Sequence, residues 1–286
     1  MAEREFKRLN SRKLKSLTRE EVIKYYDQLR SFYLSLPYNE AEKQRKAQHY
    51  LHIGKILIPI TDWLYHPTPI NNESHIDRID NKGFIYISNH LNSLDQFSLI
   101  SAIGKDKPLV VLAKNTLLNL KRRWLYKYVG CEFIDLNNLR TVKTVFETLA
   151  KDILHGRDVL IFPEGTRNTT EKLMLNFQMG AVMLAQETGT KIIPYAINED
   201  YRILRHCHLY VRRGGEFTVS PYDDLAEANE RLENAVRTLI WDNMELERNT
   251  RTHTLNEEIK NDAMKRYYKK RTKLEKQRNR INTKNT

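Results

Sequence analysis

Short apolar segments alternate with helical segments along the middle of this chain, and that alternation restricts the possible folds more than any other feature. The apolar segments have the length of buried strands and are predicted at 84–87, 108–112, 133–134, 159–162, 191–197 and 216–219. The helical segments between them are predicted at 95–104, 116–128, 140–155 and 177–188. Strands that alternate with helices favour an α/β fold, in which a largely parallel or mixed sheet is flanked by helices.

Both ends of the chain have helical character. Thr18 and Glu21 fit a capping box that opens one helix, and apolar residues at helical spacing predict a second helix over 40–64. The segment 66–75 is polar and contains prolines, so we expect a connector there. A further helix is predicted over 224–249.

These patterns divide the chain into three expected parts. They are an N-terminal helical segment at 1–70, a core at 71–222, and C-terminal helices with a basic tail at 223–286. The N-terminal helices have two interpretations. Either they pack against the core, or they lie on a membrane surface, because tyrosines, Trp63 and lysines beside an apolar face suit the lipid headgroup boundary.

The chain is strongly basic. Among its 286 residues, 48 Lys and Arg outnumber 36 Asp and Glu, which gives a formal charge of +12. Such a charge suits an anionic membrane surface, a nucleic acid or acidic substrates. Residues 265–284 hold ten basic residues and one acid, Glu275, and we expect this tail to bind anionic lipids. A nucleic-acid binder is the competing class, but no RNA-binding signature accompanies the tail, so no nucleic acid is expected as a partner.

Cysteine content and hydropathy indicate a cytoplasmic protein, for which any association with a membrane is expected to be peripheral. The two cysteines, Cys131 and Cys207, are too few for a disulfide framework and lack metal-binding spacing. The N-terminus has no apolar run of the secretory kind. The most apolar stretch, 51–60, is interrupted by Lys55 and is shorter than the roughly 20 residues that a membrane span needs.

A polar loop follows the first predicted strand and contains His90 and Asp95. In α/β proteins, loops at the carboxyl edge of the sheet carry ligand-binding residues. Positions five apart are separated by roughly 140° on an ideal helix, so the two side chains meet only if His90 lies in the loop and Asp95 in the first helical turn. Asp95 then accepts the proton of one imidazole nitrogen and leaves the other as a general base. A purely structural histidine is the alternative.

A second motif, Phe-Pro-Glu-Gly-Thr-Arg, occupies residues 162–167 after the fourth predicted strand. A glycine beside a hydroxyl and an arginine, in a turn after a buried strand, can offer backbone N–H groups and a bidentate guanidinium to a phosphate. Taken alone, it is one of many Gly-Thr-Arg turns.

Together the two motifs resemble those of the glycerolipid acyltransferase family, whose best-known member acylates lysophosphatidic acid. The family's Asn-His-x4-Asp block is matched by Asn89, His90 and Asp95, and its Phe-Pro-Glu-Gly-Thr-Arg block by residues 162–167, about 70 residues later. The resemblance implies an O-acyltransferase of phospholipid biosynthesis. Such an enzyme moves a fatty acyl group from acyl-CoA or acyl-carrier protein to a hydroxyl of lysophosphatidic acid or a related glycerophospholipid.

The resemblance also implies roles for individual residues. His90 is the expected general base and Asp95 its orienting partner, with direct attack by the alcohol and no acyl-enzyme. Arg167 would hold the acceptor phosphate, and Lys114 or backbone N–H groups would stabilise the oxyanion. No metal or cofactor is required. The residues expected to bind substrate are Glu164, Gly165, Thr166, Arg167 and Lys114.

One block departs from the family's pattern, because Leu136 stands where the family has an arginine that helps to hold the acceptor phosphate. Arg140 and Arg123 are candidates to replace that arginine. The acceptor therefore stays open, and another lysophospholipid or a non-glycerol alcohol is the alternative. Ser88 and Ser93 flank the expected base and are alternative nucleophiles.

Overall fold

A seven-stranded sheet forms the centre of the protein, in a computed structural model that describes residues 6, 8–65, 67–71, 76–92, 95–104, 109–116, 131–170, 172–200 and 208–247. The strands are β1 (Pro67–Ile70), β2 (Ile85–Ser88), β3 (Leu109–Lys114), β4 (Glu132–Ile134), β5 (Asp158–Ile161), β6 (Ile192–Asp200) and β7 (His208–Arg213). Their order across the sheet is β1-β7-β6-β2-β5-β3-β4. The five strands β6, β2, β5, β3 and β4 run parallel to one another, whereas β7 runs antiparallel to β6. The predicted α/β fold with a largely parallel or mixed sheet is confirmed.

Helices cover both faces of this sheet. In chain order they are α1 (Ser11–Lys15), α2 (Arg19–Ser35), α3 (Glu40–Tyr65), α4 (Asp95–Ile103), α5 (Leu139–Leu154), α6 (Gly180–Thr188) and α7 (Leu225–Glu247). Successive strand residues face opposite sides, so Ile85 and Ile87 pack with α2, α5, α6 and α7, while Tyr86 packs with α3 and α4. No helix within the described ranges is both long enough and apolar enough to cross a bilayer.

Local sequence signals set several helix boundaries. The predicted capping box begins α2, since the Thr18 hydroxyl accepts from the N–H of Glu21 and the Glu21 carboxylate accepts from the N–H of Thr18. The Asn138 side chain caps the start of α5. Gly189 ends α6 in the left-handed region at φ 68°, where glycine carries no steric penalty.

Two predictions about the sheet edge were wrong. The stretch 216–219 forms no strand, because Phe217 makes only an isolated bridge to Ile192. The segment 66–75, expected as a connector, contains strand β1, which pairs with β7 at the edge of the sheet. Its prolines are tolerated there because an edge strand leaves some N–H positions unpaired. The predicted helix over 116–128 lies almost entirely outside the described residues.

The N-terminal helix α2 is held on the core by a buried acid. Glu187, near the end of α6, accepts a hydrogen bond from the Tyr33 hydroxyl and pairs with Arg8 at 3.0 Å. The Tyr26 hydroxyl donates to Gln186 at 2.7 Å. Burial raises the pKa of the Glu187 carboxyl, and this effect outweighs the lowering of that pKa by Arg8 and Tyr33.

This contact predicts a pH dependence of stability. Because the Glu187 pKa is higher in the folded chain than its ordinary value of 4.5, its stabilising contribution is complete below that value and is lost as the pH rises. Glu187→Gln removes the titration and keeps an oxygen that accepts from Tyr33. We expect the Tm of the variant relative to wild type to rise between pH 4.5 and 8, by roughly 2–4 °C for each 1 kcal/mol involved. Thermal melts across this range measure it, and a Tm difference that does not change with pH would contradict it.

Candidate active site

The carboxyl ends of the parallel strands enclose a cavity of about 270 Å³. Part of the lining is apolar and includes Val111, Ile134, Phe146, Ile161 and Ala181. The polar residues of the lining are His90, Gln96, Lys114, Thr166, Arg167 and Gln178. A cavity of this size at this edge is where an open α/β sheet is expected to bind a ligand.

The end of β2 is fixed by Asn89, the residue that opens the first motif. Its side-chain amide donates to the carbonyl of Ile197 in β6 at 2.9 Å and accepts from the N–H of the same residue at 2.8 Å. Asn89 is buried, so these bonds replace the strand pairing that ends at this point. The chain therefore leaves the sheet at one defined place, directly before His90.

His90 lies in the loop and Asp95 is the first residue of α4, as the spacing of the two residues required. The distance from His90 Nδ1 to Asp95 Oδ2 is 3.0 Å. The same Oδ2 accepts from the backbone N–H groups of Leu91 and Asn92, so the buried carboxylate closes the turn as well as holding the imidazole. With Nδ1 bound to Asp95, the free ring nitrogen is Nε2, and His90 lines the cavity.

The second motif packs directly on His90. The imidazole stacks on the ring of Phe162, with ring centroids 4.3 Å apart. The N–H of Asn168 donates to the His90 carbonyl at 2.8 Å. These contacts restrict both the ring plane and the backbone of His90, so its orientation depends on both motifs.

Glu164 joins the two motifs through backbone hydrogen bonds. Its Oε1 accepts from the N–H of His90 at 2.8 Å, and its Oε2 accepts from the N–H of Leu175 at 2.8 Å. The side chain is buried and is not among the residues that line the cavity. The resemblance assigns Glu164 to the acceptor site, but both of its oxygens are occupied by the protein's own backbone.

The rest of the second motif does face the cavity. Gly165 adopts φ 65°, in the left-handed region, and its N–H donates to the carbonyl of Phe162 at 2.9 Å to form a turn. Thr166 and Arg167 follow on the cavity wall and are exposed. Arg167 has no ion-pair partner among the described residues, so its guanidinium is available to an anion.

A second cation comes from the neighbouring strand. Lys114 is the last residue of β3, lines the cavity, and forms no ion pair within the described part of the chain. Leu136, two residues beyond β4, lines the same cavity. Arg140 is exposed on α5 and is not among the lining residues, and Arg123 lies outside the described residues. Arg140, one of the two candidates to replace the arginine that is missing at position 136, is therefore not placed at the cavity.

The motifs did not identify every residue of the cavity wall. Phe146 belongs to α5 and contacts Gly180, where an added Cβ would lie 2.7 Å from the Phe146 ring. This close approach explains the glycine at the start of α6. Gln96 and Gln178 also line the cavity, and no sequence signal distinguishes them from other polar residues.

Of the alternative nucleophiles, Ser88 is poorly placed for attack. Ser88 is fully buried, and its hydroxyl donates to the Asn89 side chain at 3.3 Å. Burial raises the pKa of the Cys131 thiol to about 12, so the thiolate is disfavoured near neutral pH. Ser93 and Cys207 lie outside the described residues. Within those residues, no three His, Cys, Asp or Glu side chains are grouped so as to hold a metal ion.

The curated proteins that are similar to this chain include two from Mycoplasma species. The chain is 30% identical over 172 residues to a protein of Mycoplasma genitalium named probable 1-acyl-sn-glycerol-3-phosphate acyltransferase, covering 58% of this chain and 60% of that one. It is 32% identical over 127 residues to a Mycoplasma pneumoniae protein of the same name, covering 42% and 46%. The chain thus spans about half the length of the curated relatives it matches.

A solved structure shares the fold. It is the 1-acyl-sn-glycerophosphate acyltransferase PlsC from Thermotoga maritima, which aligns with a TM-score of 0.52 at 22% identity, over 76% of this chain and 88% of that one. At this identity, the likeness concerns the fold alone.

A model of the family described as acyltransferase matches residues 69–198, a range that includes both motifs and every residue that lines the cavity. The resemblance drawn from the motifs is therefore confirmed, because this part of the chain matches the acyltransferase family model and the curated relatives that align with it are named as acyltransferases.

Proposed function

We propose that this protein transfers a fatty acyl group from a thioester donor to a hydroxyl of lysophosphatidic acid or a related glycerophospholipid. The observation that carries the proposal is the contact between His90 and Asp95, in a cavity that also presents Arg167. A general base beside a cation that can bind phosphate suits an acceptor that is both an alcohol and a phosphate. The names of the curated relatives support the same acceptor class.

The chemistry needs one base and no acyl-enzyme intermediate. Nε2 of His90 takes the proton of the acceptor hydroxyl while the oxygen attacks the thioester carbonyl carbon. The tetrahedral intermediate then collapses, the carbon–sulfur bond breaks, and the imidazolium returns its proton to the leaving thiolate. Asp95 keeps Nδ1 protonated and stabilises the imidazolium. A positioned base of this kind contributes about 10²–10⁴-fold to a rate.

The remaining polar residues of the cavity would bind the substrates. We assign the acceptor phosphate to Arg167, with Gly165 and Thr166 beside it, since an unpaired guanidinium offers a planar pair of donors. Lys114 would stabilise the negative charge that develops on the thioester oxygen. Acyl-CoA and acyl-carrier protein both remain as donors, and another lysophospholipid or a non-glycerol alcohol remains as the alternative acceptor.

We further propose that the protein works while associated peripherally with an anionic membrane. The exposed apolar residues Ile56, Ile60 and Trp63 lie four and three positions apart on α3, which puts them on one stripe of that helix. A stripe with a tryptophan beside lysines suits the headgroup boundary. The basic tail at 265–284, outside the described residues, would add electrostatic attraction.

The assay that tests the function measures acyl transfer to a panel of lysolipids with each donor in turn. We expect turnover with at least one lysophospholipid, and a loss of about 10²-fold or more in folded His90→Ala. The activity of Asp95→Asn should also fall heavily, because the asparagine amide no longer fixes the tautomer of His90. His155→Ala is the matched control, since His155 is exposed outside the cavity and bonds the Lys151 carbonyl. A folded His90→Ala variant that retains more than about a tenth of the activity would refute the base assignment.

The acceptor site is tested with Arg167→Lys. Lysine keeps the charge but loses the bidentate geometry, so we expect the KM for the acceptor to rise about tenfold while the KM for the donor changes little. Arg140→Lys, an exposed arginine outside the cavity, serves as the control. A selective rise in the KM for the donor would mean that the two substrate sites are exchanged.

The variant Glu164→Gln distinguishes a role of Glu164 in binding the acceptor from a role in positioning His90. Glutamine offers one acceptor oxygen where Glu164 uses two, so one backbone N–H is left facing an NH₂ group, at a cost of about 1–3 kcal/mol. We expect a lower Tm and a lower kcat with an unchanged KM for the acceptor, because His90 loses its support. A raised acceptor KM with an unchanged kcat would instead indicate that Glu164 binds the acceptor.

A further inference from the structure

Three large apolar side chains are exposed beside the cavity. Leu136 is 50% exposed, Leu139 is 83% exposed and Met179 is 52% exposed. We refer to these three residues as the mouth patch. Leu136 lines the cavity, and Met179 directly precedes Gly180, which also lines it. Leu139 lies seven positions before Phe146 on α5, so the two residues share one face of that helix.

The mouth patch lies at the carboxyl edge of the sheet. Leu136 and Leu139 follow the end of β4, and Met179 stands at the start of α6, which leads back from this edge to β6. The patch therefore lies at the same edge of the sheet as the cavity that Arg167 and His90 line.

The exposed charges described near the mouth patch are basic. In the described parts of 131–143 and 164–180 they are Arg140, Arg167 and Lys172, whereas the acids Glu132 and Asp135 are half-buried and Glu164 is buried. Exposed apolar side chains with exposed cations nearby match an anionic lipid surface, where the apolar side chains enter the acyl boundary and the cations meet phosphates.

The stripe on α3 flanks the same edge. Helix α3 begins at the amino edge, where the Lys43 ammonium lies 3.1 Å from Glu132 at the start of β4. It ends at Tyr65, next to β1, whose first residue, Pro67, is paired with Leu209 near the start of β7. Because β7 runs antiparallel to β6, its start lies at the carboxyl edge. The exposed stripe of Ile56, Ile60 and Trp63, in the second half of α3, therefore lies toward the same edge as the mouth patch.

We propose that the mouth patch inserts into an anionic lipid surface, so that the domain contacts the membrane with the open edge of its cavity. A second copy of this chain is a poorer occupant, because a stable protein interface buries about 800 Å² on each partner and three side chains supply only a fraction of that area. The proposal concerns binding rather than turnover. It can therefore be tested whether or not the acyl-transfer proposal holds.

The experiment uses the full chain and sedimentation with vesicles of phosphatidylcholine and phosphatidylglycerol. The double variant Leu139→Gln with Met179→Gln replaces two of the three apolar side chains and leaves Leu136, which lines the cavity. It does not touch the residues assigned to catalysis or substrate binding. We expect its partition to the vesicles to fall about tenfold. The difference should persist at about 0.5 M salt, which screens the basic tail but does not weaken apolar insertion.

Matched controls define the result. Ile23→Gln with Leu34→Gln removes exposed apolar residues, 46% and 52% exposed, from α2, which is docked at the far end of α6. This control should bind vesicles as wild type does. Leu139→Phe with Met179→Leu keeps the patch apolar and should also keep binding. Where turnover is measurable, the glutamine variant should lose it on vesicles and retain it on acceptor dispersed in detergent.

Two outcomes would overturn the proposal. One is unchanged vesicle binding in the glutamine variant together with a shift from dimer to monomer, which would assign the mouth patch to a second copy of the chain. The other is unchanged vesicle binding together with an equal loss of activity in vesicles and detergent, which would assign the patch to the substrate cavity.

Discussion

The hydrogen bond from the backbone N–H of His90 to the carboxylate of Glu164 joins residues that are 74 positions apart in the chain. Since β2 and β5 are adjacent and parallel, the loops that follow them leave the sheet side by side. The carboxylate of Glu164 then bridges the two loops by accepting from His90 and from Leu175. The stacking of Phe162 on the imidazole depends on this arrangement, as does the bond from Asn168 to the His90 carbonyl.

Charged groups have different tasks at the two edges of the sheet. Toward the amino edge they pair with one another, as Lys43 does with Asp152 at 2.8 Å and with Glu132 at 3.1 Å. These pairs tie α3 to α5 and β4, and the bond from the Tyr38 hydroxyl to Asp152 adds to them. Toward the carboxyl edge, Lys114 and Arg167 have no partner among the described residues. Paired charges there would compete with a ligand, whereas unpaired cations are ready to bind an anion.

Particular elements show where sequence patterns were sufficient. The buried strands of the sheet centre and the helices α2, α3, α5 and α7 follow from apolar periodicity and capping signals, within a few residues of the predicted boundaries. The edge strands β1 and β7 were harder to predict. Strand β1 contains two prolines, and β7 belongs to a stretch in which apolar and polar residues do not clearly alternate. Those strands exist because β6 offers an unpaired edge, a long-range condition that no local pattern records.

The sequence by itself determined the two motifs and the class of fold, because both depend on residue type and short spacing. It predicted a pairing of His90 with Asp95 on the condition that His90 lies in the loop and Asp95 in the first helical turn, and the structure meets that condition. Only the tertiary structure decided what the other residues do. Glu164 proved to be a buried link between loops, and Leu136 proved to be part of the cavity wall, since both outcomes depend on which strands are neighbours. The grouping of Leu136, Leu139 and Met179 at one edge has the same origin. Exposure and proximity arise from packing, and packing joins residues that lie far apart along the chain.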